Sequence, residues 1–261
     1  MTPRKTRLVV SGCCGRMGGL IIEEALKDRS HFELSGAVEH TGHPEIGKPL
    51  AGNLTITADL KSALQKADLL IEFTTPEATL QNARVAAESR VPMVIGTTGL
   101  TPEQFQTLEK LAQHIPIFWS PNMSIGIVMM RRTIGSLWKL LEDFQLDQSV
   151  QIGLSETHHA KKKDKPSGTA KLLAQEIFKT AQRRIDDGDI EAKREGDVVG
   201  IHSVTFQGPS EKITLQHEAT DRRVFAQGAL LVARHFLALW KNPGLYGMDD
   251  FLTALQKEKN R

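Results

Sequence analysis

The chain has 261 residues, 40% hydrophobic and 25% charged, enough for one large domain or two smaller ones. Its 33 Lys and Arg nearly balance 31 Asp and Glu, so no global field calls for nucleic acid or an anionic membrane surface. No stretch approaches a membrane span, the apolar run behind the basic start stops at Val10, too short for a signal peptide, and the neighbouring cysteines Cys13 and Cys14 are ill placed to form a disulfide, so a reduced, cytoplasmic protein is expected.

Leu8-Val9-Val10 reads as a strand, followed by a glycine-rich turn and a helix with Met17, Leu20, Ile21 and Ala25 on one side. Phe32 to Val38 reads as a second strand, and Leu69 to Phe73, Met93 to Ile95 and Ile117 to Trp119 as further short buried ones. The pairs Thr75-Pro76 and Thr101-Pro102 suit the starts of helices near 76–89 and 102–113. Strands alternating with crossover helices predict a parallel sheet covered on both faces. After Asn122 the rhythm changes. Met129 to Phe144 and Ser167 to Arg184 read as helices, and Val150 to Glu156 as a strand. Ile201 to Phe206, Ile213 to His217 and Val224 to Ala226 then read as strands with no helix between them. The expected class is α/β, a Rossmann-type parallel-sheet domain followed by a smaller α+β domain with an open mixed sheet. A closing helix near 229–240 and the tail to Arg261 could pack on either.

The run Val10-Ser11-Gly12-Cys13-Cys14-Gly15-Arg16-Met17-Gly18 follows a strand and opens a helix. Glycines there permit a tight turn and close approach to a pyrophosphate, while the helix start offers amide donors. Its spacing, G-x-x-G-x-x-G, is a weak signal alone. Glu39 strengthens it, because it ends the second strand 21 positions after Gly18, where a ribose-binding carboxylate is expected. Gly12, Cys13, Cys14, Gly15, Arg16, Met17 and Glu39 are therefore candidate cofactor residues. Three more loops lie at strand ends, where open α/β sheets hold ligands: Phe73-Thr74-Thr75-Pro76, Gly96-Thr97-Thr98-Gly99 and Ser120-Pro121-Asn122-Met123. Each alone reads as a turn; their repetition at successive strand ends adds Gly96, Thr97, Thr98, Ser120, Pro121, Asn122 and Met123 to the candidates. The two thiols, beside a helix N-terminus, are expected to be acidic.

The densest chemistry runs from Glu156 to Ala170, with two histidines, four lysines and a helix start within fifteen residues. That composition suits a small polyanion. Ser167 is a good N-cap, and Ala170, Leu173, Ala174 and Ile177 form a buried stripe, so the amides of Gly168 and Thr169 are expected to face a carboxylate. A zinc site is disfavoured, since adjacent histidines at a strand end point to opposite faces and only Glu156 stands by as a further ligand; no metal is expected. The loop lacks the interleaved aromatics of a nucleic-acid binder. Lys161, Lys163 and Lys165 read as solvated surface.

The run E-T-H-H-A-K-K-K-D-K-P-S-G-T-A resembles the signature of the dihydrodipicolinate reductase family, E-x-H-H-x-x-K-x-D-x-P-S-G-T-A, at every fixed position. The resemblance extends to G-x-x-G-R-M-G at 12–18, P-E-x-T-L at 76–80, V-I-G-T-T-G at 94–99 and N-x-S-x-G at 122–126, and so covers nearly the whole chain. It implies hydride transfer from NADH or NADPH to 4-hydroxy-tetrahydrodipicolinate, the dicarboxylate cyclic imine made by dihydrodipicolinate synthase, in lysine and diaminopimelate synthesis. It further implies that His158 is the proton donor and Lys162 the second catalytic cation, that His159 binds substrate, and that Gly168 and Thr169 hold a carboxylate. By the same resemblance residues 1–123 and 235–261 form the dinucleotide-binding domain. Residues 124–234 would then bind substrate and build a homo-oligomer, usually a tetramer. His40 stands where NADPH-using relatives often have arginine, so Glu39 and His40 together imply a preference for NADH with NADPH usable. The stretch 194–200 looks shorter than in many members, where an extra loop helps build the oligomer. Two rivals remain, another dehydrogenase of this architecture and a catalytically silent NAD-binding regulator. The first would not need paired histidines beside a lysine-rich carboxylate cradle, and the second would be free to lose His158 and Lys162.

Overall fold

The computed structural model describes residues 4–51 and 54–259; the first three residues of the basic start and the last two of the tail lie outside them. The chain forms two compact units, Met1–Met123 with Phe225–Arg261, and Ser124–Val224. In chain order the first unit begins with β1 (Thr6–Ser11), α1 (Arg16–Lys27), β2 (Phe32–Val38), β3 (Pro49–Ala51), β4 (Leu54–Thr57) and α2 (Leu60–Leu64). It continues with β5 (Leu69–Glu72), α3 (Pro76–Ser89), β6 (Met93–Ile95), α4 (Pro102–Leu111) and β7 (Pro116–Trp119). The second unit holds α5 (Ile125–Asp143), β8 (Gln151–His158), α6 (Gly168–Ala181), β9 (Glu191–Arg194), β10 (Gly200–Gln207) and β11 (Lys212–Ala219). The chain closes with α7 (Arg223–Leu239), β12 (Gly244–Tyr246) and α8 (Met248–Lys259).

The first unit is built on one sheet in the order β12-β7-β6-β5-β1-β2-β4-β3, parallel throughout except for β3 against β4. Its central strands are buried because helices cover both faces: β5 is buried at all four residues, and Val9, Leu70, Met93, Ile95, Leu108 and Ile117 share one core cluster. β1 pairs with β2 on one side and β5 on the other, so strand order reverses there, the point beyond whose carboxyl ends open α/β sheets hold ligands. Both Thr-Pro pairs start helices as the sequence indicates. Thr75 caps α3 by accepting from the Ala78 amide at 3.3 Å, and Thr101 caps α4 in a reciprocal box with Gln104.

The start of the closing helix differs from its sequence reading. Val224 to Ala226 belongs to helix α7, and the return to the first unit falls at Phe225 rather than 235. The reason is the spacing of Ala226, Ala229, Leu230 and Ala233, which places four buried residues on one helical face and overrides the short apolar run at its start.

The second unit carries an open mixed sheet in the order β11-β10-β8-β9, with β8/β9 parallel and the other pairs antiparallel. Helices α5 and α6 pack Ile127, Ile134, Trp138, Leu173 and Ile177 with Leu154, Val204 and Phe206 of the strands. α5 starts earlier than Met129, because Ser124 caps it through the Ile127 amide. Ser167 caps α6 by accepting from the Ala170 amide at 3.2 Å. Among the described residues no helix is long and apolar enough to cross a membrane.

Candidate active site

In the first unit, the turn after β1 is tied to the neighbouring strand and leaves the start of α1 without a side-chain cap. The amides of Gly12 and Cys13 both donate to the Val38 carbonyl, fixing the loop against β2. A Cβ on Gly18 would come within 2.0 Å of the Gly12 carbonyl oxygen, so only glycine lets α1 start this close to the turn. Gly15, the N-cap residue of α1, supplies no side-chain oxygen to the first-turn amides, which leaves them for an anion. Glu39 reaches this loop: its carboxylate accepts from the Cys14 amide at 3.1 Å and the His40 amide at 3.0 Å. These features fit the pyrophosphate and ribose of a dinucleotide. His40 is exposed, with Nδ1 on the Thr41 carbonyl at 3.1 Å and its ring edge-on to His43. Arg16 is exposed at the helix start and Met17 half-buried.

The thiols depart from expectation. Cys13 is buried, and desolvation, with the hydrogen-bonding contact of Cys14 at 3.8 Å, pushes its thiol up to about 12. Burial also raises the more exposed Cys14, and Glu39 adds to the effect. Loss of solvation beside a carboxylate outweighs the helix terminus, so both are thiols rather than the thiolates expected from position alone.

The strand-end loops divide by role. Thr97 is buried and internal: its Oγ1 accepts from the Thr74 amide at 3.1 Å and from Thr79 Oγ1 at 2.8 Å. Thr98 is exposed and Gly96 half-buried. Ser120 Oγ turns back onto the Asn122 carbonyl at 2.6 Å, Met123 is packed in the core, and Pro121 and Asn122 are half-buried. Beside them lies a group that the sequence reading passed over. Glu72, fully buried at the end of β5, accepts from Thr74 Oγ1 and from Asn82 Nδ2 at 2.8 Å, and Asn82 also donates to Ser11 Oγ at 3.0 Å. Burial raises its carboxyl despite those donors. A charged residue in an otherwise apolar strand was the available signal.

In the second unit, strand register assembles the histidine–lysine site. His202 of β10 lies opposite Glu156 of β8, and Arg194 of β9 opposite His158. Glu156 is buried; its Oε1 accepts from the Ser167 amide and Arg194 Nη2, each at 3.0 Å. Its Oε2 faces His158 Nδ1 at 3.4 Å and His202 Nε2 at 3.7 Å, and the two imidazole rings meet edge to face at 5.0 Å. Arg194 also donates to the carbonyls of Lys162, at 3.3 Å, and Asp164, tying the lysine loop to the sheet. Lys162 is half-buried and paired with Asp164 at 2.8 Å, whereas Lys161, Lys163 and Lys165 are exposed, as expected of solvated residues. His159 is half-buried, Gly168 exposed and Thr169 half-buried at the start of α6.

Desolvation dominates the titration here. It pushes His158 down to about 4, against the pull of Glu156, and His202 down to about 3. Among the described residues, Cys13, Cys14 and Glu39, and Glu156, His158 and His202, are grouped closely enough to share an ion. In the second group Arg194 already supplies the positive charge on Glu156, and in the first the carboxylate is taken up by two amides. Arg194, His202 and the central part played by Glu156 escaped the sequence reading; a histidine in register with inward Val204 and Phe206 was the clue to His202.

A Rossmann-type unit with an uncapped glycine turn, joined to a mixed-sheet unit, defines a nicotinamide-dinucleotide-dependent oxidoreductase. Comparison narrows the class. Residues 6–123 match the family model described as dihydrodipicolinate reductase, N-terminus, and residues 126–252 the model for its C-terminus. The chain is 36% identical to a 4-hydroxy-tetrahydrodipicolinate reductase of Caldanaerobacter subterraneus subsp. tengcongensis, over 94% of this chain and 98% of the relative. It is 38% identical to that of Ruegeria pomeroyi, over 94% and 97%. The chain belongs to the dihydrodipicolinate reductase family. Its fold matches a dipicolinate-bound dihydrodipicolinate reductase from Paenisporosarcina sp. TG-14 with a TM-score of 0.76 at 22% identity, covering 95% of this chain and 99% of the other.

Proposed function

We propose that the chain reduces 4-hydroxy-tetrahydrodipicolinate to tetrahydrodipicolinate with NADH or NADPH, in lysine and diaminopimelate synthesis, the activity for which its relatives are named. Hydride and a proton are added and one water is lost. The observation that carries this reading is the buried His158 beside half-buried Lys162, next to the start of α6. Bound dinucleotide supplies the hydride. His158 delivers the proton, a task suited to imidazole, and Lys162 neutralises a carboxylate and draws electrons from the ring. His159 and the amides of Gly168 and Thr169 hold the carboxylates. Residues 124–224 would also build the homo-oligomer, a tetramer by family resemblance, in the cytoplasm.

The test is NADH absorbance after mixing with freshly made synthase product. His158→Gln should cut turnover by roughly two orders of magnitude with cofactor affinity retained. Lys162→Ala should harm turnover and substrate binding, while Lys161→Ala and Lys163→Ala should be mild. Equal effects at all three lysines would remove the assignment. For the cofactor, Glu39 beside the glycine turn would accept from ribose hydroxyls and repel the extra phosphate of NADPH, which favours NADH. His40→Arg should tighten NADPH by about 1–2 kcal/mol. A strong NADPH preference in the native protein would count against Glu39.

A further inference from the structure

Glu156 stands among polar groups from three strands and a loop, and its two oxygens are used unequally. Oε1 is satisfied by the Ser167 amide and Arg194. Oε2 is buried without a hydrogen bond, and so is His158 Nδ1, 3.4 Å away. Leaving a buried acceptor unmet is costly, more so when it is charged, so the facing pair marks a place that a proton would satisfy. The two imidazoles near Oε2 are not equivalent. His202 presents Nε2 to the carboxylate at 3.7 Å and to Ser167 Oγ at 3.3 Å, and its Nδ1 is buried without a partner. A second proton on His202 would create an unmet buried N–H at Nδ1, whereas a proton on His158 Nδ1 would meet Glu156.

We infer that Glu156 is a positioning residue for His158: it holds the ring by its Nδ1–H, so that the proton given to substrate is the one on Nε2, while His202 stays neutral on the same carboxylate oxygen. The inference rests on the reading of His158 as proton donor. In that step the Nε2–H bond breaks, its electron pair stays on the nitrogen, and the proton joins the substrate as hydride arrives. His158 is left neutral, its remaining proton toward Glu156. The groups facing His158 are Glu156 on its own strand, Arg194 on β9, His202 on β10, and Lys162 and Asp164 on the loop. Burial, Lys162 and Arg194 oppose a charged ring, and Glu156 and Asp164 favour it. The negative charge of a bound dicarboxylate adds to the second set.

Imidazole nitrogen spectra of the whole protein at neutral pH, assigned through His158→Gln and His202→Gln, read the tautomers directly. Neutral His158 should carry its proton on Nδ1 and His202 on Nε2; a proton on Nε2 of neutral His158 overturns the inference, whatever the activity. Glu156→Gln should shift the alkaline fall of turnover to lower pH by about one unit, the scale of a lost opposite charge at this range, and Glu156→Asp should restore it in part. A loss of turnover with an unmoved midpoint would make Glu156 a packing residue and overturn the positioning role. Should Glu156→Gln not fold, the native tautomers still decide. Near-normal turnover of His158→Gln would sink the donor reading, and with it this inference, even with the tautomers as expected.

Discussion

Acid should weaken this protein through its buried histidines before its carboxylates. Desolvation holds His158 at about 4 and His202 at about 3, far below the ordinary value of 6.5. As pH falls through 6.5 the unfolded chain binds a proton at each position and the folded chain does not. Both groups therefore contribute stability that is present above about 6.5 and is lost as pH falls toward 4 for His158 and 3 for His202. A proton bound only in the unfolded state costs about 1.4 kcal/mol per pH unit once titration is complete. Between pH 8 and 5 this amounts to about 2 kcal/mol for each site, a figure insensitive to the folded value so long as that value lies well below 5. His202→Gln removes one titrating ring and keeps an amide donor for Ser167 Oγ or Glu156. Urea unfolding at matched ionic strength, at pH 8 and pH 5, should show the variant losing about 2 kcal/mol less than the native chain across that interval. Equal losses would refute the picture of His202 as a ring kept neutral by burial.

Two further outcomes follow from close contacts. In Gly200→Ala the added Cβ would lie 3.0 Å from His158 Nε2, so the ring must give by a few tenths of an ångström; turnover should fall by roughly tenfold while the melting temperature holds or rises slightly, and unchanged turnover would show that ring placement is not critical. Because burial raises both thiols, alkylation of Cys14 should be slow near pH 7.5, accelerate as pH rises, and be slowed by bound NADH; fast modification at neutral pH would contradict the raised thiols, and equal rates with and without cofactor would place Cys14 away from the dinucleotide.

Local signals carried most of the fold and only part of the site. The strands of the first unit announce themselves as short apolar runs, and the Thr-Pro pairs mark α3 and α4. The three- to five-residue elements β3, β4 and α2, and the edge strand β12, have too few residues for a period to emerge. At the site, His158, Lys162 and the start of α6 lie in one continuous run. Arg194 and His202 enter through strand pairing, which depends on register between segments 30 to 50 positions apart. Nothing local in Lys193-Arg194-Glu195 separates that arginine from a solvated charge.

Glu72 gives the first unit a property that matters to anyone altering it. Its carboxylate is a knot tied with side chains: Thr74 from the loop after β5 and Asn82 from α3, which in turn holds Ser11 at the end of β1. Thr79 of α3 extends the knot to Thr97 beyond β6. These segments share one buried carboxyl group, so their substitutions are not independent. Removing one donor leaves the carboxylate more exposed to the cost of burial, and removing a second is felt against an already weakened setting. Any lineage or designer reshaping these strand ends must therefore change them as a set, and a chimera that takes the β1 turn from one relative and α3 from another inherits the knot untied.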